Sequence, residues 1–110
     1  MSVAAVASGS QTAVITTEHT LAVAAAAGTY VLVVNLSNLA SGDTVELRIK
    51  GKIFSGDGYT TELLDSYTDA QAEGQAYARS IPVATDTAIT ATLKQTAGTG
   101  RVFPWKLLLL

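Results

Sequence analysis

Few side chains in this sequence could do chemistry, and none stands in a pattern that does. His19 is the only histidine, in the turn-like run Thr17-Glu18-His19-Thr20. Nucleophilic catalysis needs a base beside an activated hydroxyl, and a zinc site draws on several imidazoles, thiolates or carboxylates. A lone histidine there reads as a surface residue. The carboxylates Glu62, Asp65, Asp69 and Glu73 gather in one region. Glycoside hydrolysis would need two of them across a cleft at a set separation, and solvation at a strand end and in a loop accounts for them instead. Ser55-Gly56-Asp57-Gly58 has one carboxylate where a calcium loop has several. Gly98-Thr99-Gly100 lacks the Lys-Ser/Thr and the helix start of a phosphate loop. Both read as turns. No catalytic, cofactor or metal residue is assigned, and no enzyme activity is expected.

Two apolar groups remain. Trp105 with Tyr30, Tyr59, Tyr67 and Tyr77 would make a sugar-stacking platform if they converged, but one Trp among dispersed Tyr reads more simply as packing. Leu107 to Leu110 is a run of four leucines. In an extended chain alternate leucines face opposite ways. One face can be the domain core, and the other then needs either a second sheet or a neighbouring subunit.

The elements that must position these residues are strands. Val45, Leu47, Ile49 and Ile53 alternate with Thr44, Glu46, Arg48, Lys50 and Lys52, a period-two pattern with one buried and one wet face. Turn residues bracket it: Ser41-Gly42-Asp43 before and Ser55 to Gly58 after. Thr29 to Ser37 is β-branched and apolar on both faces, which suits a central strand. Tyr59 to Thr68 reads as a hairpin partner, Tyr77 to Val83 as a strand that Pro82 places at an edge or bulge, and Thr85 to Gln95 as a strand with Thr87, Ile89, Ala91 and Leu93 inward. Gln11 to Thr17 is a further strand candidate. Leu21 to Ala27 is the one run where a helix competes; strand is preferred because so short a segment before a glycine makes a poor helix. Arg101 to Leu110 closes the chain. About seven to eight short strands punctuated by turns give an all-β fold, an antiparallel β-sandwich or a β-tulip or jelly-roll-like barrel.

At 110 residues this is one domain, residues 11–110, preceded by a short segment, 1–10, expected to be a flexible arm or an extended edge strand. Hydrophobic residues make up 48%, many of them Ala and Val, and only 15% are charged, a surface suited to life against other protein. The net charge of −2 offers no footprint for nucleic acid or an anionic membrane. The absence of cysteine excludes disulfides and leans towards cytoplasmic synthesis. The first residues lack the basic start of a signal peptide, and Leu21 to Leu36 is too short and too interrupted for a membrane helix.

Gly28-Thr29-Tyr30 leads into a Val/Leu strand and then Asn35-Leu36-Ser37-Asn38-Leu39-Ala40-Ser41-Gly42-Asp43-Thr44-Val45-Glu46-Leu47-Arg48. The chain closes on Leu93-Lys94-Gln95-Thr96-Ala97-Gly98-Thr99-Gly100-Arg101-Val102-Phe103-Pro104-Trp105-Lys106. Together these stretches resemble small virion proteins of tailed bacteriophages, over about residues 28–54 and 86–110. The resemblance implies a β-sandwich or β-tulip-like module without catalytic residues or cofactor. It would be made in the host cytoplasm and take its place on the virion. A capsid decoration (cement) protein would bind the outside of the head, often as a trimer, and brace adjacent major capsid subunits. Its arm, with Met1, Val3 and Val6, would lie in a capsid groove or add a strand to a capsid sheet. Trp105, Leu108 and Leu110 would pack between subunits. A tail or head-completion protein and a carbohydrate-binding sandwich are the alternatives.

Overall fold

The computed structural model describes residues 4–52, 56, 58–71, 75–79 and 88–110. They form eight strands and no helix: β1 (Ala4–Thr12), β2 (Glu18–Ala24), β3 (Tyr30–Asn35), β4 (Thr44–Gly51), β5 (Thr60–Thr68), β6 (Gln75–Arg79), β7 (Ile89–Ala97) and β8 (Val102–Leu109). Two four-stranded sheets result, ordered β1-β8-β3-β6 and β2-β7-β4-β5. Every neighbouring pair is antiparallel. The expected all-β sandwich is the fold.

The pairing has a simple rule. β1 pairs β8, β2 pairs β7, β3 pairs β6 and β4 pairs β5. The chain is therefore one long two-stranded ribbon, bent back on itself at the β4–β5 connection and rolled up. The β3–β8 and β4–β7 ladders form where successive turns of the roll meet. This is the order of an eight-stranded jelly roll. All connections except β4–β5 cross from one sheet to the other.

Alternation decides what the sheets bury. Val45, Leu47 and Ile49 of β4 face Tyr30, Leu32 and Val34 of β3, with Ile89, Ala91 and Leu93 of β7 and Phe103 and Leu107 of β8 completing the core. The alternation expected along β4 holds at every described position. Along β7, Ile89, Ala91 and Leu93 are in the core as expected, but Thr90 and Thr92 on the opposite face are buried as well. Ile53 and Thr87 lie outside the described residues.

The strand expected over Gln11 to Thr17 ends earlier. β1 stops at Thr12, and Val14 to Thr17 is a turn closed by the Thr17 amide donating to the Val14 carbonyl at 3.0 Å. The chain must here leave one sheet for the other, and a straight strand cannot make that corner. Thr16 takes φ 67°, unusual for a β-branched residue. Its amide donates to the Gln95 carbonyl, and the Ala13 amide to the Arg101 carbonyl, each at 2.8 Å. The alanine run after Leu21 forms no helix. Leu21 to Ala24 belongs to β2, with bends at Ala26 and Ala27 before β3. The expected strand near Tyr77 is β6, and Pro82 lies outside the described residues.

Candidate functional site

The residues that could have done chemistry do not converge. His19 lies on the inward side of β2, half-buried, where its Nε2 accepts the Val14 amide at 3.1 Å. Asp65 pairs in register with Leu47, and Asp69 follows β5, its Oδ1 accepting the Gly42 amide at 2.7 Å. Asp57, Glu73 and the side chain of Glu62 lie outside the described residues. Among the described residues no group of three or more His, Cys, Asp or Glu could hold a metal ion, and no helix is long and apolar enough to cross a membrane. The described aromatic side chains of that group are dispersed, and the side chain of Tyr77 lies outside the described residues. Tyr30 is in the core with its hydroxyl donating to the Ala26 carbonyl at 2.7 Å. Tyr67 and Trp105 pack against that core, and Tyr59 stands apart from them on the outer side of the second sheet.

Gly98-Thr99-Gly100 does bind an anion, but the anion is the chain's own. Asp43 is buried between the β3–β4 and β7–β8 connections. Its Oδ1 accepts the Thr99 amide at 3.0 Å, and its Oδ2 accepts the Ala40 amide at 3.0 Å and Arg101 Nε at 2.8 Å. Arg101's hydrogen bond holds the carboxyl below the ordinary aspartate range. Burial opposes this, and the Ala40 and Thr99 amides and the Arg101 charge reinforce it. Buried Gln95 beside it donates to the Ala97 and Thr99 carbonyls and accepts the Arg101 amide at 3.1 Å. Every member has a partner, as a rigid structural network requires.

The six residues expected at an interface are placed as follows. Met1 and Val3 lie outside the described residues. Val6 is the extra residue of a bulge in β1, between Ala5 and Ala7, and is 44% exposed. Trp105 projects to the inner face of β8, half-buried, and its indole lies beneath Gly9, where an added Cβ would stand 3.3 Å from the ring. Leu108 is half-buried on the outer face of β8, beside Ala5 of β1 and Val31 of β3. Leu110 follows β8, exposed, with its amide donating to the Thr29 carbonyl at 2.9 Å. The other two leucines of the run go inward: Leu107 is fully buried, and Leu109 packs on the core against Gly28.

The outer faces of the two sheets differ in kind. The β1-β8-β3-β6 face carries Val31, Val33, Val102, Pro104 and Leu108 among small Ala and Ser residues, and Lys106 is the one charge among its described side chains. The β2-β7-β4-β5 face carries Glu18, Glu46, Arg48, Lys50 and Lys94. No protein-family model, no curated protein and no solved structure significantly matches the chain.

The charged face is knitted together. Arg48 Nη2 donates to Glu46 Oε1 at 2.8 Å, and Lys50 Nζ lies 2.7 Å from Glu18 Oε2, which also accepts the Thr92 hydroxyl at 2.6 Å. Partial burial pushes the Glu18 carboxyl up. The hydrogen bonds from Lys50 and Thr92 and the charges of Lys50 and Arg48 outweigh that and hold it below the ordinary range. Around this pair the face sinks into a depression of about 350 Å³. Thr90 and Thr92 lie at its floor, Glu18, Lys50 and Thr20 around them, and Val23 and Tyr59 at the sides.

Val23 reaches this face because of a bulge. The β2–β7 register shifts between Thr20 and Ala22, so Leu21 and Ala22 both pack on the core and Val23, opposite Thr90, turns outward, 61% exposed. Strict alternation from His19 would have buried it.

Proposed function

We propose that this chain is a non-enzymatic structural protein of a tailed-phage particle, of the capsid decoration type, that binds the outside of the head and braces adjacent major capsid subunits. The observation that carries the reading is the outer face of the β1-β8-β3-β6 sheet. Leu108 and Val31 are register neighbours on it, Val33 and Pro104 lie on the same face, and Lys106, paired with Val33, is the one charge among its described side chains. Scattered apolar residues on a surface are ordinary, but a sheet face this rich in apolar residues and this poor in charge suits burial against protein.

β1 adds to the same surface. It is an edge strand of nine residues, Ala4–Thr12, without a charge or a proline to discourage pairing, and its one irregularity is the bulge at Val6. A capsid strand can add to that edge through main-chain hydrogen bonds while the apolar face covers the seam. Each copy would bind only the assembled shell and so lower the shell's chance of opening, by mass action. A closed trimer presents three such faces around one axis.

Co-sedimentation with expanded heads, built from the major capsid protein encoded alongside this chain, tests the reading. The wild-type chain is expected to saturate the heads at a fixed ratio and to raise their melting temperature. Leu108→Glu is expected to fold and to lose binding. Failure of the wild-type chain to bind, or full binding by Leu108→Glu, would sink it.

A further inference from the structure

We propose that the depression on the outer face of the β2-β7-β4-β5 sheet is a saccharide site that takes a neutral hexopyranose unit of a glycan. This face is opposite the one assigned to the particle, so the inference stands or falls independently of that assignment.

The chemistry of the lining decides the ligand class. Its volume, about 350 Å³, is at the small end of the range of roughly 300–1,000 Å³ common to ligand pockets. An apolar ligand is disfavoured by a floor of hydroxyls. A phosphate or other anion would meet the Glu18 carboxylate, and the Lys50 ammonium is already neutralised by that carboxylate at 2.7 Å. A metal ion would find one carboxylate and no imidazole.

A pyranose ring fits what remains. Its hydroxyls both donate and accept, and its C–H faces are apolar. Thr20 and Thr90 have hydroxyls without a hydrogen-bond partner among the described residues, and each can do both. Glu18 accepts and Lys50 donates, so the ion pair offers fixed polar atoms of both kinds. Tyr59, 40% exposed, supplies an aromatic wall; the Lys52 ammonium stands over one face of its ring, 4.8 Å from the centroid, so a sugar would stack on the other face. Val23 gives a second apolar wall. Thr90 and Thr92 stand on β7, a strand paired on both sides, so the floor is set before any ligand arrives.

The test is a titration followed by ¹H–¹⁵N NMR, using the methyl α-glycosides of glucose, galactose, mannose and N-acetylglucosamine up to tens of millimolar. At least one is expected to shift the amides of Thr20, Val23, Lys50, Thr90 and Thr92, with a dissociation constant in the millimolar range. Tyr59→Ala, at an exposed position, should weaken that binding by about ten-fold or more. Thr90→Val keeps the side-chain shape and removes one hydroxyl, and should weaken it by a few-fold while the melting temperature stays within a few degrees of wild type. Absence of shifts with all four sugars, shifts centred on another face, or binding that survives both substitutions would overturn the proposal.

Discussion

Asp43 and Arg101 meet in a 2.8 Å ion pair across 58 residues of chain. The contact joins the β3–β4 connection to the β7–β8 connection and holds one end of the sandwich closed. Because the Asp43 carboxyl is also satisfied by two backbone amides, its replacement leaves donors stranded as well as a charge unpaired. Asp43→Asn is expected to lower unfolding stability by about 3 kcal/mol at neutral pH.

The same pair sets a pH dependence. The folded-state pKa of Asp43 is depressed, so its contribution is fully present above the unfolded aspartate value of about 4 and is lost as pH falls through the folded value. Urea midpoints of the wild type should fall over that acid window, and those of Asp43→Asn should fall less. Parallel curves for the two proteins would refute the assignment.

Gly98 is fixed by two independent constraints. Its φ is +90°, and an added Cβ would collide with the Asp43 carboxylate and come within 2.7 Å of the Asp43 Cα. Gly98→Ala should therefore destabilise by about 2 kcal/mol or more, measured as a drop in melting temperature. Gly42 is also at positive φ, but an added Cβ there would have nothing within 4 Å, so Gly42→Ala should show the backbone cost alone.

Leu107 and Leu108 are adjacent in sequence and opposite in consequence. Leu107→Ala empties a fully buried position and should cost about 3 kcal/mol. Leu108→Ala, on the half-covered outer face, should cost about 1 kcal/mol or less. Equal losses in chemical denaturation would mean that the outer face is already covered within one chain.

Trp105 is the only tryptophan, which makes it a reporter for β1. Gly9 lies over its indole, so removal of residues 1–10 should shift its emission to the red and lower stability. Unchanged emission would show that β1 does not cover the ring in solution. Loss of particle binding on truncation would then need the Val6→Glu variant, in which β1 remains, to separate anchoring from folding.

The fold was legible where alternation is strict. β4 and β7 could be read residue by residue because each keeps one face in the core along its described length. Corners and bulges were not legible: nothing in Val14-Ile15-Thr16-Thr17 distinguishes a strand from the turn between sheets, since Val, Ile and Thr favour strands wherever they occur. The saccharide site was hidden for the same reason. Its parts are brought together by register, Glu18 with Lys50 and Thr92 across three strands, and Val23 joins them only through the bulge before it. Of the described aromatic side chains whose composition suggested a platform, Tyr59 alone lines the depression, because the inner faces of β3, β5 and β8 claim Tyr30, Tyr67 and Trp105.

The ribbon order also bears on synthesis. Since β1 pairs with β8, the first of these strands to leave the ribosome waits for the last. The β4–β5 hairpin can close early, and partners then add outward along the ribbon, each separated by a longer stretch of chain, which makes the final step slow. A strand that waits unpaired is exposed to its neighbours on the same polysome. Ala4–Thr12 has a single Val among Ala, Ser, Gly, Gln and Thr, so its side chains add little hydrophobic attraction to that hazard, but its uncharged backbone edge stays open to pairing until β8 arrives.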